Sequence, residues 1–217
     1  MLKLNSPLDL NGKLAAYAAL AGAALAGPAA VNATVVDSGP LSINIQTTNI
    51  NGLYINFVTG ANNTVGNGAG TTVAGWDMNP YSSTGTATGS FNFFESNANN
   101  AIVGAGGVAS SLAPGTFVGP ASAFITGVVT GTPFRTTGME YAGLRFTNES
   151  TGAVNYGWAL FRTNGATGFP ATLLRYSYDD AGGAIQVPIP EPGTFALLGV
   201  VAAGALGLRQ WRKRNVA

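Results

Sequence analysis

The sequence predicts an all-β protein, an antiparallel β-sandwich or jelly roll, flanked by an N-terminal signal helix and a C-terminal transmembrane helix. Three observations carry this. Glycine supplies 31 of 217 residues while charged residues make up 9%, a composition suited to short strands, many turns and an uncharged polar wet face. Runs that alternate apolar and polar residues recur between residues 41 and 178, the spacing at which one face of a strand is apolar. Two uncharged apolar stretches stand outside that region, one preceded and one followed by basic residues.

The first of these defines residues 1–33. Lys3 and Lys13 precede 13 uncharged residues at 14–26. As a helix that stretch is about 20 Å long, short of the ~30 Å hydrocarbon core of a bilayer. Gly27-Pro28 breaks the helix, and Val31-Asn32-Ala33 offers side chains suited to the −3 and −1 positions of a cleavage site. A charged start, a short apolar run and such a site are the parts of a secretory signal peptide. Cleavage is expected after Ala33, with Ala30 the second choice.

Residues 34–187 form the expected β-sandwich domain. Asp37-Ser38-Gly39-Pro40 reads as a turn, and 41–46 then alternates with period two. A turn containing Asn51-Gly52 predicts a hairpin of 41–46 with 53–58, with Leu53, Ile55 and Phe57 on one face. Further strands are expected at 72–78, 90–94, 101–103, 142–147, 153–161 and 171–178. Between them lie Gly-rich loops at 60–70 and 104–107, and a helical turn near 109–112. About six to nine short strands at this spacing make a sandwich or jelly roll.

Charge narrows the function classes. Stretch 34–187 holds four arginines, no lysine and seven acids, a net charge of −3. A nucleic-acid partner is therefore excluded, for want of a basic stripe to displace phosphate counterions. Neither histidine nor cysteine occurs, which excludes disulfides, thiolate and imidazole metal sites, and Ser-His-Asp or Cys-His nucleophile systems. The domain must hold together by core packing and sheet hydrogen bonds.

Few residues remain as site candidates. Asp77, Glu95, Glu140, Glu149, Asp179 and Asp180 are the carboxylates from which a glycosidase pair would have to come, and nothing in their spacing pairs them. Gly66-x-Gly68-x-Gly70 lacks a following Lys-Ser/Thr and is read as a loop, not a phosphate cradle. The chain is accordingly expected not to be an enzyme and to carry no cofactor. Asp77 is expected to cap the turn Met78-Asn79-Pro80. Asp179 and Asp180 are weak Ca²⁺ candidates whose ordinary reading is a solvated hairpin tip. Trp76, Tyr156 and Trp158 are read first as packing residues. Their sharper reading is a stacking platform for the apolar faces of pyranose rings.

The remaining segment, 188–217, has three parts. Pro188, Pro190 and Pro192 bracket Glu191 in chain that cannot join a helix or a central strand. The 15 uncharged residues 194–208 follow as a short transmembrane helix. Arg209, Trp211, Arg212, Lys213 and Arg214 then supply an interfacial aromatic and a basic membrane stop on the cytoplasmic side.

Pro190-Glu191-Pro192, the apolar stretch and the terminal arginines together resemble the PEP-CTERM sorting signal of Gram-negative bacteria. The phrases Gly75-Trp76-Asp77-Met78-Asn79-Pro80-Tyr81, Tyr141-Ala142-Gly143-Leu144-Arg145-Phe146 and Asn155-Tyr156-Gly157-Trp158 are similar to ones shared among hypothetical PEP-CTERM proteins, where His is frequent at the place of Asn155. The resemblance implies a partner enzyme, the membrane-embedded exosortase, cutting near Glu191. It also implies a transient inner-membrane anchor, then delivery to the cell surface or medium. From it follows the expected role: an exported, non-catalytic surface or matrix protein of biofilm, associated with exopolysaccharide. A carbohydrate-binding module is the alternative, and a glycosidase-like enzyme the third reading.

Overall fold

The computed structural model describes residues 34–48, 50–64, 72–95 and 100–189. The signal segment with Ala33, the motif Pro190-Glu191-Pro192, the stretch 194–208 and the basic residues Arg209, Arg212, Lys213 and Arg214 lie outside the described residues, as do both expected terminal helices.

The described chain is all-β. Its strands are β1 (Val35–Asp37), β2 (Ile43–Asn44), β3 (Pro80–Ser82), β4 (Phe91–Glu95), β5 (Ala101–Ala105), β6 (Val108–Ala109) and β7 (Phe117–Val118). They continue with β8 (Phe124–Ile125), β9 (Gly127–Thr130), β10 (Gly138–Thr147), β11 (Val154–Thr163), β12 (Thr172–Asp179) and β13 (Ile185–Gln186). Eleven of them join one curled sheet in the order β1-β12-β11-β10-β5-β6-β9-β4-β3, with β2 added to β12 and β8 to β5. Every pairing is antiparallel except β6 with β9. β7 and β13 form a separate two-stranded ribbon.

The curl turns at β5. Its Ala101–Val103 part pairs with β10 and β8, while Gly104 and Ala105 pair with β6. A strand that changes partners along its length makes a corner between two packed layers. Gly106 and Gly107, at φ +58° and +79°, form the two-residue β5–β6 turn, where successive positive φ values match the strand twist and exclude most side chains.

The inner faces of the two halves meet over a phenylalanine core. Phe91 and Phe93 of β4 lie edge-on to Phe161 of β11, with ring centroids 5.7 and 5.9 Å apart. Phe134, from a 3₁₀ turn at Thr132–Phe134, stacks on Phe91 at 5.5 Å. Each pair adds about 0.5–1.5 kcal/mol beyond its area burial. The β10–β11 hairpin is buried on both faces. Ala142, Leu144 and Phe146 face the main core, while Tyr141 faces a second cluster built on Val118, Trp158, Ile185 and Val187. The β7–β13 ribbon supplies Val118 and Ile185, and Val187 follows it directly, so it is the lid over this outer core.

Strands expected at 90–94, 101–103, 142–147, 153–161 and 171–178 are present as β4, β5, β10, β11 and β12, most of them longer than read. Four details differ from expectation. The 41–46/53–58 hairpin does not form, because β2 pairs with β12 and the backbone of Leu53 and Ile55 bonds instead to Pro80 and Met78. Leu53, Ile55 and Phe57 are buried as expected, but Tyr54 and Asn56 between them are buried too. Segment 72–78 contains a turn and a single bridge at Met78 in place of a strand. The helical turn near 109–112 is replaced by β6 and a bridge from Leu112 to Tyr141, and thirteen strand segments stand where fewer were expected.

Candidate functional site

The outer face of the β3-β4-β9 layer carries an aromatic groove. Alternation along β4 sends Phe91 and Phe93 inward and Phe94 outward, directly opposite Val128 on β9. Tyr81 of β3 turns outward between buried Pro80 and Ser82. Across them lies the irregular segment 50–54, tied down by Asn79, whose Nδ2 donates to the carbonyls of Asn51 at 2.5 Å and Leu53 at 3.0 Å. Ile50, Asn51, Tyr54, Asn79, Tyr81, Phe94 and Val128 enclose about 260 Å³, with no charged side chain among them. Half-buried Trp76 buttresses the groove, stacked at 6.4 Å on Phe94 and edge-on at 5.0 Å to Tyr54. Asn100 Nδ2 donates to the Trp76 carbonyl at 2.6 Å and fixes this turn.

Beneath the Trp76 turn are two buried carboxyls. Asp77 is 3% exposed, and its Oδ2 accepts the N–H of Phe57 at 2.7 Å. It therefore anchors a segment 20 residues away, not the turn that follows it as the sequence suggests. Burial pushes its pKa up to about 8, with the Phe57 amide working against the shift and the charge of Glu149 adding to it. Glu95 continues the inward face of Phe91 and Phe93, is 2% exposed, and has no hydrogen bond of ordinary geometry on either oxygen. Burial drives its pKa well above the carboxylate range; the Asn79 backbone amide offsets part of this and the nearby Asp77 charge adds to it. The fold thus brings within electrostatic range two acids that sequence spacing did not pair. The available signal was the alternation itself, which puts Glu95 in line with two core phenylalanines.

The three aromatic candidates are separated. Trp76 flanks the groove, whereas Tyr156 and Trp158 lie in the outer core beneath β7–β13. Trp158 is 2% exposed and meets Tyr141 edge-on at 5.5 Å, so its faces are covered against any sugar. Tyr156 lies tilted on Phe124 at 5.8 Å. Sequence reasoning missed the groove's other walls, Tyr54, Tyr81 and Phe94. Asp179 is buried, not solvated, and its turn joins β12 to β13 without forming a hairpin. Its Oδ1 accepts the amides of Ala181 at 2.9 Å and Gly183 at 2.8 Å, while Asp180 Oδ1 accepts the Thr34 amide at 2.9 Å. Both carboxylates of the Ca²⁺ candidate thus cap backbone amides.

The phrases noted in the sequence acquire physical roles. Register sets Gly143 opposite Trp158 and Arg145 opposite Tyr156. A Cβ on Gly143 would meet the methyl groups of Val103, Leu112 and Val118 at 2.6–3.0 Å, so a larger residue here would push this outer layer's side chains apart. Arg145 lies 5.0 Å over the Phe124 ring, a cation–π contact.

Last in the described chain is β13, followed by Val187, which is fully buried, and exposed Pro188 and Ile189. The family model that begins there is the PEP-CTERM protein-sorting motif, matching residues 188–213. The chain carries a PEP-CTERM sorting motif. Neither the curated proteins nor the solved structures gave a match. The PEP-CTERM motif implies an exported protein recognised and processed by exosortase, with a C-terminal membrane anchor cleaved before surface display.

Proposed function

We propose that this chain is a non-catalytic surface or matrix protein, the β domain of 34–187 being its mature body and exopolysaccharide its setting. The PEP-CTERM motif at 188–213 carries this reading. The absence of histidine and cysteine from the sequence supports a binding or structural role over nucleophilic catalysis. Removal of 1–33 and a cut near Glu191 complete the maturation. The test is the intact mass of the protein recovered from the native host's surface and medium. The expected product lacks both end segments, and Glu191→Ala leaves the C-terminal segment attached. A full-length C-terminus in the wild type would reduce the chain to a plain membrane-anchored protein.

The groove favours a second reading, carbohydrate binding. Aromatic walls suit the apolar faces of sugar rings, the absence of charge suits a neutral glycan, and about 260 Å³ leaves room for a single sugar ring. Affinity electrophoresis through neutral polysaccharide gels would show retardation that Tyr81→Ala removes; equal mobility of the two proteins in every gel would sink it.

A further inference from the structure

The β7–β13 ribbon is the part of the fold joined most directly to the sorting motif. Val187 locks it: its N–H donates to the Thr116 carbonyl at 2.8 Å and its own carbonyl accepts the Gly115 N–H at 2.9 Å. Two large apolar side chains stand out from this ribbon, Phe117 at 62% exposure and Ile189 at 63%. Exposed Ala113, Pro114 and Pro188 flank them, and the whole run 96–134 contains no charged residue. Contact with a lipid headgroup zone would therefore dehydrate no ion on this strand.

Tether length says what covers these side chains. Four residues lie between Ile189 and Thr194, where the uncharged stretch begins, and the five steps fully extended reach about 18 Å at most. A bilayer that holds 194–208 thus lies within that distance of the ribbon. So short a tether gives a high effective concentration, at which a weak apolar contact is already occupied. We propose that, before processing, the β7–β13 ribbon rests on the membrane surface with Phe117 and Ile189 in the interfacial zone. This rests on the reading of 194–208 as the anchor. Cleavage near Glu191 removes the tether, and two side chains alone do not hold a domain on a bilayer, so processing also releases the docked face.

The chain has no cysteine, so single-cysteine variants of the full-length protein take one environment-sensitive fluorophore each. Phe117→Cys, Ile189→Cys, Leu197→Cys and Val35→Cys are labelled and reconstituted into vesicles of mixed zwitterionic and anionic phospholipid with brominated chains. Val35, 57% exposed on β1, is the control for the dye's own affinity for lipid. Docking is supported when positions 117, 189 and 197 lose most of their emission to bromine and position 35 does not. Loss at 197 with 117 and 189 behaving like 35 overturns the docking and keeps the anchor. No loss at 197 overturns the anchor reading, and the docking with it.

Discussion

Glu95 and Asp77 set the pH response of the domain. Both have native pKa values above the unfolded ones, Asp77 near 8. Such a group contributes its full stability below its unfolded pKa, near 4, and loses it as pH rises through the folded value. Each proton bound in excess by the native state tilts stability by about 1.4 kcal/mol per pH unit. The domain should therefore be more stable at pH 5 than at pH 8 in denaturant titrations, and Asp77→Asn should flatten the slope. Glu95→Met replaces a buried carboxyl that makes no hydrogen bond of ordinary geometry by an apolar side chain of similar size, in line with Phe91 and Phe93. It should stabilise by about 1–3 kcal/mol. A loss of stability would mean that the carboxyl has a partner in solution.

The β10–β11 hairpin explains both what the sequence revealed and what it hid. Its strands run ten residues each, long enough for alternation to stand above chance, so both were legible. β7, β8 and β13 are two residues each, too short for any period, and they exist because the outer core needs covering. Segment 53–58 alternates well yet makes no ladder, since side chains take part of its backbone bonding: Asn63 Oδ1 accepts the Tyr54 amide and Asp77 Oδ2 the Phe57 amide. The groove was half legible: Trp76 and Tyr81 fall in one phrase, but Tyr54 and Phe94 come from remote segments that only the fold assembles. Gly143→Val tests the layer itself. By forcing apart Val103, Leu112 and Val118 it should cost about 1–3 kcal/mol and expose Trp158, seen as red-shifted emission. Unchanged emission would mean that the ribbon does not depend on this close approach.

The whole molecule bears on processing because the fold runs up to the motif with hardly a linker. Val187 is buried and Pro190 stands three residues later. A chain ended after Ile189 should keep the unfolding midpoint of the longer protein. One ended after Gly183 removes Ile185 and Val187 from beside Trp158 and should lose about 3 kcal/mol or more, the cost of uncovering two large aliphatic side chains. Equal midpoints for the two truncations would show the ribbon to be dispensable. Only a cut beyond Val187 therefore leaves a sound product, and Glu191 satisfies that condition.

β1 completes the account from the other end. Its neighbour Thr34 bonds Asp180, 146 residues away, and among the described residues Val35–Asp37 pairs with β12 alone. A chain threaded outward from its N-terminus therefore delivers its first strand long before the one it needs. Pairings this remote close slowly, so β1 joins the sheet only once β12 is at hand. The order of the strands makes the closing of this edge wait until nearly the whole domain has been supplied.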